Sequence, residues 1–321
     1  ICGKHLGKIG AFIRIGIRLV AFCNCESVVI AVKLCGNSYD VAALDGKNRA
    51  VIFKTGDALE CRYTVIEFKS RFAKAEKMIS EAADNGAELV VLPEMWSCPY
   101  SKKYFHAFAD SENGESREAM SRWARENGVI LVGGSVPEKC GDKLYNTCFV
   151  FDENGEQIAR HRKIHLFDVD IEGGVRFKES NSFAPGEDIT VFDTKFGRMG
   201  VEKCFDIRFP ELARAMAKRG AEVILCPAQF NMTTGPRHWE LSVRARAMDN
   251  EVFFVGASAA RYEGFDYECW GHSTVADPFG MVKASCDEKE QILYCDIDLN
   301  EVDSVRRQLP TFLHLREDIY N

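Results

Sequence analysis

From about residue 69 the chain repeats one unit, a helix, a short stop and a strand, and that repetition limits the folds open to it more than any single motif. Phe72, Ala75, Ile79 and Ala82–Ala83 recur at helical spacing, Asn85-Gly86 stops the helix, and Leu89–Leu92 follows as a short apolar run of the buried-strand kind. The unit returns as a helix near 116–126, the stop Asn127-Gly128 and a strand over 129–132. It returns at 210–219 with Gly220 and a strand over 222–226, then at 238–249 with Asn250 and a strand over 252–257. Hairpin signals lie between: Phe149-Val-Phe-Asp-Glu-Asn-Gly155 has an Asn-Gly turn, and Thr274-Val-Ala-Asp-Pro-Phe-Gly280 a Pro/Gly turn. Helices interleaved with strands and hairpins predict a mixed α/β fold, not a purely parallel doubly wound sheet. No linker signal interrupts 65–321, and residues 51–321 read as one domain.

Residues 1–50 stand apart. Lys4, Lys8, Arg14 and Arg18 all precede the first acid, Glu26, and there is no initiator methionine. Basic, acid-poor composition suits a mitochondrial presequence, although serine is absent before Ser27; Arg14 and Arg18 interrupt the apolar run a secretory signal needs. A targeting extension, a lineage-specific addition and a badly defined gene start all stay open. The net charge of −7 argues against general nucleic-acid binding. No run approaches the ~18 apolar residues of a membrane span. The 13 cysteines are scattered, with no Cys-x-x-Cys and Cys23-x-Cys25 as the closest pair, which argues against a stapled scaffold and against a zinc site. Reduced thiols of a cytosolic or mitochondrial-matrix protein are the expectation.

Chemistry concentrates in Gly200-Val-Glu-Lys-Cys204-Phe-Asp-Ile-Arg208-Phe-Pro-Glu211, which puts one cysteine at a strand end directly before a turn and a new helix. Backbone N–H groups and the positive helix end there favour a thiolate and would stabilise an oxyanion. A glutamate follows an earlier strand in Val90-Val-Leu-Pro-Glu94, and a lysine follows another in Arg160-His-Arg-Lys163. Period-two alternation places Lys163 on one side with His161 and leaves Arg160 and Arg162 as a solvated face. The other twelve cysteines read as core residues. Arg208 reads either as an ion-pair partner of Glu211 or Asp206, or as a fork for a carboxylate. Glu202 and Lys203 break the pattern of a buried central strand. Each ion costs several kcal/mol to bury unless neighbours compensate it or the strand end is less buried than expected.

Leu92-Pro-Glu94, Arg162-Lys163-Ile-His165-Leu and Cys204-Phe-Asp-Ile-Arg208-Phe-Pro-Glu resemble, in order, the three catalytic blocks of the nitrilase superfamily of carbon–nitrogen hydrolases. The 41-residue step from Lys163 to Cys204 is similar to that of the omega-amidase branch. Supporting blocks are Gly133-Gly-Ser-Val-Pro-Glu138, Leu144-Tyr-Asn-Thr147, Phe230-Asn-Met-Thr-Thr-Gly235, His238-Trp-Glu240, Trp270-Gly-His-Ser-Thr274 and the tail from Leu309 to Tyr320, so the similarity covers roughly 65–320. The resemblance implies a four-layer α-β-β-α sandwich whose first strand lies near Arg49–Phe53.

The resemblance also implies roles. Cys204 is the nucleophile and Glu94 the general base. Lys163 stabilises the oxyanion with the N–H of Phe205, and Glu179, sixteen residues after Lys163, positions that lysine or the substrate. Arg208 takes a substrate carboxylate in a pocket lined by Phe230 and Thr234. The implied reaction is hydrolysis of the terminal amide of 2-oxo dicarboxylate monoamides, such as 2-oxoglutaramate and 2-oxosuccinamate, by at least a homodimer with no metal or organic cofactor. Competing readings are a nitrilase, which typically carries Trp where Phe205 stands, an N-carbamoyl amidohydrolase, and a pseudoenzyme scaffold marked by Glu202-Lys203 where the family has small or apolar residues. His165 and His272 read as structural histidines.

Overall fold

The structure, a computed structural model, describes residues 16–22, 30–35, 60–111, 114–261 and 267–319. Side-chain period sorts its apolar residues into layers. Along the strand Val223–Ala228, Val223 and Leu225 enter one buried cluster while Ile224, Cys226 and Ala228 enter another. The neighbouring Phe253–Ser258 divides the same way, with Phe253, Val255 and Ala257 on one face and Phe254 on the other. A strand apolar on both faces needs cover on both.

The chain supplies that cover in order. The strands β1 (Gly16–Phe22), β2 (Ile30–Cys35), β3 (Leu89–Val91), β4 (Asp110–Ser111), β5 (Ile130–Val132), β6 (Val136–Cys140), β7 (Lys143–Phe151) and β8 (Gln157–Arg162) belong to a first sheet. A two-stranded ribbon follows, β9 (Asp168–Asp170) with β10 (Arg176–Lys178). The second sheet runs β11 (Thr190–Thr194), β12 (Gly197–Val201), β13 (Val223–Ala228), β14 (Phe253–Ser258), β15 (Thr274–Ala276) and β16 (Val282–Ser285), in that spatial order. The last strand, β17 (Ile292–Asp298), returns to the first sheet, where β1 pairs antiparallel along it. Helices α1 (Glu60–Asp84) and α3 (Glu115–Asn127) pack on the first sheet, and α4 (Pro210–Lys218) and α5 (Gly235–Asn250) on the second. The short α2 (Lys102–Phe105) and the late α6 (Asn300–Gln308) complete the helices among the described residues. This is the four-layer α-β-β-α sandwich. In the second sheet the central strands β12, β13 and β14 run parallel and the outer pairs antiparallel, the mixture that the alternating helices and hairpins predict.

Within the stretch 1–50 that composition sets apart, β1 and β2 pair with the first sheet. The expected first strand near Arg49–Phe53 lies outside the described residues. The stops behave as their chemistry requires. Gly86 takes φ 83° and Gly128 φ 62°, left-handed positions that end α1 and α3. Pro210 opens α4 and Pro236 lies in the first turn of α5. The stop of α5 falls one residue later than Asn250. Glu251 adopts φ 50°, and its carboxylate accepts the Thr311 N–H and hydroxyl at 3.0 and 2.7 Å. Among the described residues no helix is long and apolar enough to cross a membrane.

Candidate active site

Both sheets contribute strand ends to one buried cluster. Glu94 follows β3 through Leu92-Pro93, and its backbone is held from two sides. Leu92 N–H bonds to Val132 O at 2.9 Å, and Ser135 N–H to Pro93 O at 3.1 Å. Gly134 makes that crossing feasible, because at its φ of 54° a Cβ would stand 1.9 Å from Pro93 O. From the second sheet, Gln229 Nε2 donates to the Glu94 carbonyl at 2.6 Å.

Lys163 follows β8, and its ammonium lies between two carboxylates, 2.9 Å from Glu94 Oε1 and 2.9 Å from Glu179 Oε2. All three side chains are buried. Burial opposes the lysine charge, yet Glu179, Glu94 and Cys204 hold it well above the usual lysine range, so the ammonium persists. Asn146 on β7 donates Nδ2 to Glu94 Oε1 at 2.8 Å and to Glu179 Oε1 at 3.0 Å. Phe167 N–H donates to Glu179 Oε2 at 2.6 Å. Glu94 Oε2 is buried without a hydrogen-bond partner among the described residues, an acceptor in waiting.

Cys204 ends the run from β12 and sits at φ 44°, in the left-handed region, with Sγ 3.7 Å from Gln229 O. The expected resting thiolate is corrected here. Burial first, then the Glu94 carboxylate, push the thiol well above its ordinary range, against the opposing pull of Lys163. A short 3-10 turn, Cys204–Arg208, separates the sulfur from α4, so no long helix begins at the sulfur. Its surroundings therefore favour the neutral thiol.

Asp206 ties the turn carrying Cys204 to the segment carrying Lys163. Its Oδ1 accepts the His165 N–H and stands 2.8 Å from His165 Nδ1; its Oδ2 accepts the Lys203 N–H at 3.0 Å and stands 3.3 Å from His161 Nε2. Burial opposes this carboxylate, but His161 and His165 hold it far below the usual range. His161 and His165 flank Lys163 in sequence, so one carboxylate two residues past Cys204 grips the chain on both sides of the lysine.

The remaining predicted residues gather around this cluster. Phe205 packs edge-on against Phe167 and Phe209. The Arg208 guanidinium lies 4.9 Å from the Phe230 ring centre and 3.0 Å from His238 Nδ1. The expected pairing of Arg208 with Glu211 or Asp206 does not form, because Asp206 is committed to the histidines; no carboxylate among the described residues lies in ion-pair range of Arg208. Thr234 joins indirectly, its N–H on Asn231 Oδ1 at 3.1 Å. Sequence reasoning passed over two tyrosines. Tyr267 donates its hydroxyl to Gln229 O at 2.6 Å, the carbonyl that faces Cys204, and its ring lies tilted 4.7 Å from that of Tyr100, whose buried hydroxyl has no hydrogen-bond partner among the described residues. His165 stacks on Phe209 and His272 on Trp270, so neither serves the sulfur.

Two charge expectations change. Arg160 and Arg162 are not simply a solvated face. Arg162 forks onto buried Glu138 at 2.8 and 2.9 Å, and Arg160 reaches the same carboxylate at 3.6 Å. Glu202 and Lys203 are fully buried and do not pair with each other. Neither Glu202 oxygen has a hydrogen-bond partner among the described residues; burial, then Asp206, raise its pKa well above the carboxylate range against Arg246. An acid with a raised folded pKa costs no stability below its unfolded value of about 4.3 and an increasing amount as pH rises above it. Glu202→Leu is therefore expected to raise stability at pH 7 by ~1–3 kcal/mol, with a larger gain at pH 8 than at pH 5. Thermal melts across that range check this, and a lowered melting temperature would mean that Glu202 has a partner.

The comparisons come to the same place. Residues 58–307 match the profile of the carbon-nitrogen hydrolase family. The chain is 45% identical over 266 residues to omega-amidase NIT2 of Xenopus tropicalis, covering 81% of this chain and 96% of that one. It is 46% identical over 247 residues to omega-amidase NIT2 of Homo sapiens, covering 77% and 90%. Among solved structures it is similar to Saccharomyces cerevisiae Nit3, described as a member of branch 10 of the nitrilase superfamily, with TM-score 0.70, 38% identity and coverage of 76% and 89%.

Proposed function

The chain belongs to the carbon–nitrogen hydrolase family and is a hydrolase of carbon–nitrogen bonds, and from that premise we propose that it is an omega-amidase acting on small 2-oxo dicarboxylate monoamides such as 2-oxoglutaramate and 2-oxosuccinamate. Glu94 Oε2 takes the Cys204 proton and sulfur attacks the amide carbon. The Lys163 ammonium and the Phe205 N–H receive the oxyanion, in a pocket dry enough for a fixed charge to act strongly. Glu94 returns the proton to the departing nitrogen, ammonia leaves, and a thioester remains. Water, deprotonated by Glu94, then cleaves the thioester to the carboxylate and restores the thiol. Glu179 holds Lys163 in place through the cycle.

The substrate assignment is carried by Arg208, a partly buried guanidinium without a carboxylate partner among the described residues, four residues past Cys204 and against Phe230. Such a group suits the far carboxylate of a dicarboxylate monoamide. The test is ammonia release from 2-oxoglutaramate beside butyramide. Arg208→Met is expected to raise KM for 2-oxoglutaramate by ~10–100-fold and to leave butyramide nearly unaffected. Equal losses on both amides, or faster turnover of a nitrile or a carbamoyl compound by the wild type, would end this assignment. We also assign the chain to a homodimer or larger homo-oligomer through the face where α5 exposes Leu241 and Met248 beside exposed Phe279 and Met281. Eight free cysteines among the described residues favour a reducing compartment, cytosol or mitochondrial matrix.

A further inference from the structure

Lys203 is fully buried behind the nucleophile turn, and its ammonium meets the machinery described above. Its Nζ donates to Asn146 O at 2.9 Å, to Asn146 Oδ1 at 3.2 Å and, more loosely, to His161 O at 3.5 Å. The other end of the same carboxamide, Asn146 Nδ2, donates to both Glu94 and Glu179. An ammonium only donates and a carboxylate only accepts, so an amide caught between them has a single satisfied orientation. With an apolar side chain at 203, Asn146 Oδ1 would lose its donor, and the amide could turn its oxygen toward two glutamates. Charge balance gives a second reason. Glu94 and Glu179 share the Lys163 ammonium, and Lys203 brings a second cation to the same dry region.

We propose that Lys203 is a positioning residue for the general base: it locks the Asn146 carboxamide, which anchors Glu94 Oε1 and leaves Oε2 free for the Cys204 proton. This rests on the reading of Glu94 as that base. It makes the charged residue beside the nucleophile part of the working site, where sequence alone suggested a mark of lost catalysis.

The groups facing the ammonium are Cys148 on β7, Glu94, Lys163 and Asp206. Burial, with help from Lys163, lowers its pKa to about 8, against Cys148, Glu94 and Asp206. Losing the charge weakens its hydrogen bonds to Asn146, so wild-type kcat is expected to fall several-fold through an alkaline limb near pH 8. Lys203→Met is expected to lower kcat at pH 7 by ~10–100-fold with KM little changed, to lack the limb, and to melt no lower than wild type. A folded K203M with wild-type kcat and an unchanged limb would overturn the inference while leaving the Cys204 chemistry standing. Should K203M fail to fold, the wild type decides: a flat kcat from about pH 7 to about pH 9.5 in a folded chain overturns it, and a limb near pH 8 supports it. Absence of turnover by the wild type on every carbon–nitrogen substrate would instead remove the functional reading, and this inference with it.

Discussion

Cys204→Ala will leave a folded protein whose ammonia release falls by ~10⁴-fold or more. Without the thiol the amide carbon can be attacked only by water. Glu94 and Lys163 keep their geometry but lose the covalent route that divides a hard reaction into two easier ones. The fold should tolerate the change. Position 204 sits at φ 44°, where alanine is no more strained than cysteine, and the lost contact is a weak one, Sγ to Gln229 O at 3.7 Å. Unfolding free energy should therefore change by no more than the ~1 kcal/mol of an ordinary small-to-smaller change. Mass spectrometry during turnover checks the same step, because the wild type should accumulate a thioester adduct on Cys204 and the variant none. Retention of more than a hundredth of the wild-type kcat/KM by a clean preparation would remove Cys204 from the nucleophile's role.

The largest loss of stability is expected from Asp206→Ala. The substitution strips a buried carboxylate from the Lys203 and His165 N–H groups and from both flanking imidazoles. Leaving such donors buried and unpaired costs ~3–5 kcal/mol. Activity should fall with it by ~10²-fold, because Asp206 ties the segment carrying Lys163 to the turn carrying Cys204, and a displacement of about 1 Å is enough for that. Asp206→Asn, of the same shape, should retain part of the stability and show less acid sensitivity. A carboxylate whose folded pKa lies below the unfolded one contributes stability above the unfolded value of about 3.9, and loses it as pH falls through the folded value. Melts of D206A and D206N from pH 3 to pH 7 separate these effects, and a D206A melting point within 2 °C of wild type would contradict the argument.

Local pattern carried much of this molecule. Apolar spacing and Asn-Gly stops place the end of α1, the whole of α3 and the strands after them within a few residues, because those signals lie inside each element, whereas α1 starts at Glu60, well before the expected start near 69. Glu94, Lys163 and Cys204, singled out at strand ends, and Glu179, singled out by the family resemblance, do meet in one buried cluster. The residues that sequence reasoning missed are those whose meaning is wholly long-range. Asn146 is 52 positions from Glu94 and 57 from Lys203, and an asparagine on a strand announces neither contact. Asp206 read as a neighbour for Arg208, and its true partners arrive from β8 and the loop after it. Arg160 and Arg162 looked solvated because their common partner, Glu138, belongs to β6, two strands away in the sheet. The oddity of Glu202-Lys203 was legible, but its resolution was not, since the oxygens that receive Lys203 belong to β7 and β8.

The provenance of the cluster has a consequence for folding. Glu94, Asn146 and Lys163 come from the first sheet, and Cys204 and Gln229 from the second. Neither sheet on its own carries a fraction of the chemistry, however well its strands are formed. Turnover is then a readout of docking: a collapsed intermediate with native strands and undocked sheets would have full secondary structure and no catalysis. Separation by little more than the width of a water molecule would silence the chain before any helix melts, and activity should be the last property regained on refolding.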